Sequence, residues 1–154
     1  TRTPATLGYR QVATVAAVSK AGATLTYRSL APACALNGQQ ITPLTGVGEC
    51  AISVTSAGNL SITPVTVILP IRLTLGTQTL GTFTLPETLK AFSKTNLPTA
   101  TNFGERVTYK AIGACSVVRS VLTMRRGKCE INATSSGRKA LYEGLNTKLT
   151  TASK

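Results

Sequence analysis

The feature that most constrains this chain is an internal repeat with a period near 80 residues. Leu25-Thr26-Tyr27-Arg28 recurs as Val107-Thr108-Tyr109-Lys110, and Ala33-Cys34 recurs as Ala114-Cys115. The stretch Cys50-Ala51-Ile52-Ser53-Val54-Thr55-Ser56-Ala57-Gly58 recurs as Cys129-Glu130-Ile131-Asn132-Ala133-Thr134-Ser135-Ser136-Gly137. Matched positions lie 82 (Tyr27 to Tyr109), 81 (Cys34 to Cys115) and 79 (Cys50 to Cys129) residues apart, a drift that small loop deletions produce without disturbing order. A repeat of this length marks one folding unit used twice. The 154 residues therefore divide into domains 1–76 and 77–154, the boundary falling where apolar alternation ends in Gly76-Thr77-Gln78. Units this small bury only about 60% of their unfolded surface, so each needs a cross-link, a metal or a neighbour.

Within each half the hydrophobic pattern has period two, the signature of strands. Val65, Val67, Leu69, Ile71, Leu73 and Leu75 share one face, as do Cys50, Ile52 and Val54, and Cys129, Ile131 and Ala133. Thr, Val, Ile and Leu dominate the 42% apolar composition, while Trp is absent and only one Met occurs, a balance that favours strands. Turn signals at Asn37-Gly38, Gly46 to Gly48 and Gly58-Asn59 cut the first half into short strands. The expected fold class is all-β and antiparallel. Pro70 implies an edge, bulge or bend in its strand. Two segments pull the other way: Thr84-Leu85-Pro86-Glu87 has the spacing of a capping box and predicts a short helix over 86–94. Leu141, Leu145 and Leu149 have helical spacing as well, but Gly144 interrupts them and the repeat favours a final strand.

Four cysteines occupy matched positions, with fifteen residues between Cys34 and Cys50 and thirteen between Cys115 and Cys129. One disulfide inside each repeat is the simplest of the three connectivities. Four reduced core thiols are the alternative, and a zinc site is a weaker one, because the chain holds no C-x-x-C pair and no His. Disulfides call for an oxidising compartment and so for export. No apolar run is long enough to span a bilayer as a helix, so membrane insertion is not expected. The chain starts at Thr1, as a processed chain or an excised fragment would.

These residues resemble the bacterial immunoglobulin-like repeat domains found in tandem in large secreted and cell-surface proteins. Such repeats read as a V-T-Y strand, a short turn, a first Cys, an apolar strand, a Gly-containing turn and then C-x-I-x-A-T-x-x-G. Residues 25–59 fit through Cys34, Gly46, Gly48, Cys50 and Gly58, and residues 107–137 fit through Cys115, Gly127, Cys129 and Gly137. The resemblance implies two tandem immunoglobulin-like β-sandwiches, each with one intra-domain disulfide, in a structural or adhesive role at a cell or virion surface. Partners would be other copies of the chain or other surface or virion proteins. The second repeat departs from the pattern at Met124-Arg125-Arg126-Gly127-Lys128. Both repeats lack the acidic residues that many surface modules use for calcium.

Charge carries the remaining information. There are 17 Lys and Arg against 5 acids, a net charge of +12, and Asp and His are both missing. Without them the commonest general base and metal ligand are gone, and no catalytic spacing joins the Glu, Lys, Tyr, Ser and Thr that remain. Neither an enzyme nor a cofactor-binding protein is expected. Residues 81–154 hold twelve basic and four acidic residues, and Arg119, Arg125, Arg126, Lys128, Arg138 and Lys139 form a cluster in sequence. That cluster could bind an anionic polymer, whether cell-wall polymer, acidic polysaccharide or nucleic acid, or could be a solvated face. Tyr27 and Tyr109 are expected to pack their rings at the core edge and hydrogen-bond their tips. Asn59-Leu60-Ser61 and Asn132-Ala133-Thr134 match the glycosylation sequon.

Overall fold

A computed structural model describes residues 4–19, 22–58 and 61–154; Asn59 and Leu60 of the first sequon lie outside the described residues. The chain forms two compact units, one comprising Thr1–Gly76 with Lys139–Tyr142 and the other Thr77–Arg138 with Glu143–Lys154. Both are all-β, and no helix occurs among the described residues.

The first unit holds strands β1 (Thr6–Gly8), β2 (Ala13–Thr14), β3 (Leu25–Ser29), β4 (Cys34–Asn37), β5 (Gln40–Pro43), β6 (Glu49–Ser56) and β7 (Val65–Thr74). They make one sheet in the order β1-β7-β6-β3 and a second in the order β2-β5-β4. The inward faces of the two meet in one core, to which Leu7, Cys50, Ile52, Val54, Ile71 and Leu73 come from the first sheet and Cys34 and Ile41 from the second. Burial along β7 is graded: Ile71 and Leu73 are buried, whereas Val65 and Val67 are exposed although they share the same face. Alternation defines the face, and only packing decides how far the core extends along it.

Pro70 shows why a proline is tolerated here. It stands opposite Ala51 on β6, and the Ala51 carbonyl is already engaged in the other direction by Leu30 N at 2.8 Å. On the far side of β7, pairing with β1 begins only at Arg72. The missing N–H therefore faces an open edge and removes no ladder bond.

The second unit holds β8 (Thr88–Leu89), β9 (Lys94–Asn96), β10 (Thr108–Val118), β11 (Val121–Ser135) and β12 (Leu145–Ser153). The order is β10-β11-β12-β8, with β9 pairing β11 on a separate stretch. Here β10 and β11 run unbroken through what are separate strands in the first unit. Their first ladder runs from Thr108↔Thr134 to Gly113↔Cys129 and their second from Cys115↔Met124 to Val118↔Val121, with a register shift between. Gly113 makes the shift possible: its φ is +91° and a Cβ there would lie 2.6 Å from the Lys128 carbonyl.

The pairing scheme of the first unit recurs in the second. Parallel β1–β7 corresponds to parallel β8–β12, and β2–β5 corresponds to β9–β11. Even a single connector is repeated, since Val15 N donates to Gln39 O and Leu97 N to Ser120 O, both at 2.8 Å. This scheme overrides the helix expected over 86–94. Leu89 pairs with Ser153 in a parallel bridge, Ala152 N donates to Glu87 O and Lys154 N to Leu89 O, and Leu85 is buried in the core. A nine-residue helix is marginal alone, and strand pairing with core burial outweighs its capping signal. The segment around Leu141 to Leu149 contains the strand β12, as the repeat requires.

Both disulfides lie within repeats, Cys34–Cys50 with Cα atoms 5.9 Å apart and Cys115–Cys129 with Cα atoms 5.5 Å apart, inside the usual range for a cystine. No cysteine is free. In the first unit the bridge joins β4 of one sheet to β6 of the other; in the second it joins the two ladders of β10 and β11 across the register shift. Each cystine therefore ties together the two walls of its own core.

Two outcomes follow for stability. Replacing both cysteines of either pair by serine is expected to lower unfolding free energy by about 2–4 kcal/mol, read from urea denaturation; an unchanged midpoint after reduction would refute the staple role. Gly113→Ala combines a forbidden φ with a backbone collision and is expected to destabilise by more than about 1 kcal/mol, whereas Gly81→Ala meets no atom within 4 Å and has only its φ of +68° to strain it.

Candidate anion-binding surface

The six basic residues singled out by sequence fall at three places in the fold. Arg119 occupies the two-residue turn between β10 and β11, with Ser120 beside it. Arg125, Arg126 and Lys128 lie together opposite the register shift, all exposed. None of the three has a ladder partner on β10, so the bulge presents them outward, and Gly127 N is tied to Ser153 Oγ at 2.8 Å. Arg138 and Lys139 lie in the connection from β11 to β12. Seven residues at ~3.3 Å each put the end of β11 at Ser135 roughly 23 Å from Lys128, and Arg138 follows beyond that end. The structure groups the bulge trio and leaves Arg119 and Arg138 apart from it.

Glu87 and Glu130 line one hollow with Lys128, but among the described residues no ion pair joins an acid to the trio. Glu130 pairs with Lys148 at 3.0 Å, and an exposed pair of that kind contributes about 0–1 kcal/mol. Among the described residues no three His, Cys, Asp or Glu side chains gather where a metal could be held.

A concave site lies elsewhere in the second unit and includes a residue that sequence reasoning missed. A cleft of about 580 Å³ is lined by Arg106, Arg119, Thr99, Thr108, Ser120 and Tyr109. Its walls are fastened by backbone bonds, Leu97 N to Ser120 O at 2.8 Å and Val107 N to Thr99 O at 3.0 Å. The Tyr109 hydroxyl donates to Pro98 O at 2.7 Å. Its ring packs against both apolar clusters of the unit, one around Leu122 and Ile131 and the other around Val107 and Ala133. The cleft joins two guanidinium groups to three aliphatic hydroxyls, and no acidic residue lines it. Such a set can hold a carboxylate, sulfate or phosphate through charge-assisted bonds. Arg106 stands alone in sequence, ten or more residues from the basic cluster, and nothing in the local pattern marks it.

No family model matches the chain, and no curated protein matches it.

The two strand tyrosines differ. Tyr109 has its tip bonded as expected, whereas Tyr27 Oη is buried without a hydrogen-bond partner among the described residues. Asn132 of the second sequon sits within β11, flanked by Lys110 on β10 and Lys148 on β12. An acceptor in the middle of a three-stranded ladder is unlike the surface loops where glycosylation occurs.

Burial desolvates the Tyr109 phenolate and raises the pKa of the phenol above its ordinary value. The unfolded chain then releases this proton more readily than the folded one. The associated stability is complete below the ordinary tyrosine range and disappears as pH rises through the folded pKa. Ultraviolet titration is expected to show a phenol ionising above the ordinary tyrosine range, and Tyr109→Phe should remove that step; a titration unchanged by the substitution would refute the assignment.

Proposed function

We propose that the chain is a non-enzymatic structural or adhesive module of a secreted, cell-surface or virion assembly, built of two tandem immunoglobulin-like sandwiches. The observation that carries this reading is the recurrence of one strand-pairing scheme in both halves, each closed by its own cystine across the two walls of its core. An oxidising compartment outside the cytosol is where such staples persist. No helix among the described residues is long and apolar enough to cross a membrane.

Strand edges supply the means of assembly. β3 and β10 each have a neighbour on one side only, and an unpaired edge can accept a strand from another copy or another surface protein. Ile112, near the middle of β10, is 47% exposed. A second reading, a module that binds an anionic polymer, is favoured by the outward bulge of Arg125, Arg126 and Lys128 in a half that carries +8 of the +12 charge.

Multi-angle light scattering of the unreduced chain at low and physiological salt separates these readings. Edge assembly predicts a mass that is a multiple of 16.0 kDa at both salts, and Ile112→Lys should lower it. A 16.0 kDa monomer under both conditions would remove self-assembly from the reading.

A further inference from the structure

We propose that the cleft between Arg106 and Arg119 is a binding site for an anionic sugar unit, a carboxylated or sulfated residue of an acidic polysaccharide. This rests on the polymer-binding reading above and assigns it to a site apart from the basic bulge.

The argument begins with backbone conformation. Arg119 and Ser120 have φ of +48° and +62° and form the whole turn between Val118 and Val121. A two-residue turn with both residues left-handed strongly prefers Asn-Gly, because an ordinary side chain crowds the backbone there. The first repeat has a single left-handed residue at this turn, and it is a glycine. Its corresponding turn, between Asn37 and Gln40, is Gly38-Gln39, and Gly38 has φ +58°. Adding the cysteine spacing of 81 to position 38 gives 119, so Arg119 stands where the first repeat has glycine. Adding the tyrosine spacing of 82 to position 24 gives 106, so Arg106 stands where the first repeat has Thr24. The fold forms without either arginine, and the second repeat places one of them in a conformation that arginine rarely takes. Left-handed φ also occurs at Arg10, Phe92 and Ala140; at Arg119 it coincides with a concave lining, and strain of this kind clusters at functional sites.

The lining decides the ligand class. Two guanidinium groups call for an anion that accepts paired N–H bonds. Thr99, Thr108 and Ser120 add hydroxyls that can both donate and accept, matching the hydroxyls of a sugar ring. The volume of about 580 Å³ falls within the range of roughly 300–1,000 Å³ usual for small-ligand pockets. Single-stranded nucleic acid would require exposed rings on which bases stack. Tyr109 is the sole aromatic of the cleft, with its ring engaged in the core and its hydroxyl bonded to Pro98.

Isothermal titration calorimetry of the intact, oxidised chain at about 150 mM salt tests the assignment with four probes. These are a galacturonate hexasaccharide carrying carboxylates, a heparin hexasaccharide carrying sulfates, the neutral cellohexaose and an oligothymidylate. Binding is expected for one or both acidic sugars, and their ratio tells whether carboxylate or sulfate is preferred; neither cellohexaose nor the oligothymidylate should bind comparably. Arg106→Gln and Arg119→Asn should each weaken binding about tenfold or more, with Asn chosen because it tolerates the left-handed turn, so thermal unfolding should be unchanged. The triple variant Arg125→Gln, Arg126→Gln, Lys128→Gln lowers the general positive charge of the unit and should weaken binding of the acidic sugars less than either cleft variant does. Loss of sugar binding in the triple variant with retention in the two cleft variants would overturn the site while leaving the polymer reading intact. Equal binding of the oligothymidylate would overturn the sugar assignment, and no binding by any anionic probe would overturn both.

Discussion

Each half of this protein depends on a cystine that holds together the two walls of a small core. Hydrophobic burial alone is a weak basis for domains of this size, and the core clusters are modest. Among the described residues nine form the buried cluster of the first unit, and two smaller clusters, joined through the ring of Tyr109, form those of the second. Cys50 and Cys129 are both buried members of their clusters, so the bridge both fills core volume and limits how far the walls can separate. The register shift at Gly113 and the outward bulge of Arg125 to Lys128 lie where β10 and β11 pass from one wall to the other, and the cleft beside Tyr109 lies between the two ends of β10. They are consequences of how the second unit routes its chain around its staple.

The first and second units solve the same problem differently. In the first, the chain leaves one sheet after Ser29 and re-enters the other at Cys34, with turns at either end of the crossing. In the second, the crossing is made without interruption, which demands a glycine with a left-handed φ and leaves basic side chains facing solvent at the bend. The bulge and the cleft proposed to bind anions both belong to the second unit, where the duplicated scheme departs from its simpler form.

Much of the architecture was legible in the sequence because two independent copies of one pattern stood side by side. The repeated Tyr, Cys and C-x-I-x-(V/A)-T-S-x-G positions aligned the strands and paired the cysteines without any need for tertiary information. The segment 86–94 was misread because its partners, Ala152 to Lys154, lie some 60 residues away, and a local capping signal cannot reveal a parallel pairing at that distance. The candidate site was legible only in part. Arg119 was grouped with Arg125, Arg126 and Lys128 by closeness in sequence, whereas the hairpin turns it toward Arg106. Arg106 carries no local pattern at all, and its role emerges only when the ends of two strands meet around Tyr109.

The position of the cystines also governs how the chain responds to being pulled. Separations of 16 and 14 residues are bridged by Cα spans of 5.9 and 5.5 Å. At ~3.4 Å per extended residue, roughly 90 Å of contour length cannot be drawn out while the bridges are intact. The segments withheld in this way include the hairpin turns, Gly38-Gln39 and Arg119-Ser120, which both lie between their paired cysteines. Under load the polypeptide outside the bridges would extend first, and the turn that carries Arg119 would remain in a covalently closed loop, shielded from tension that unravels the rest.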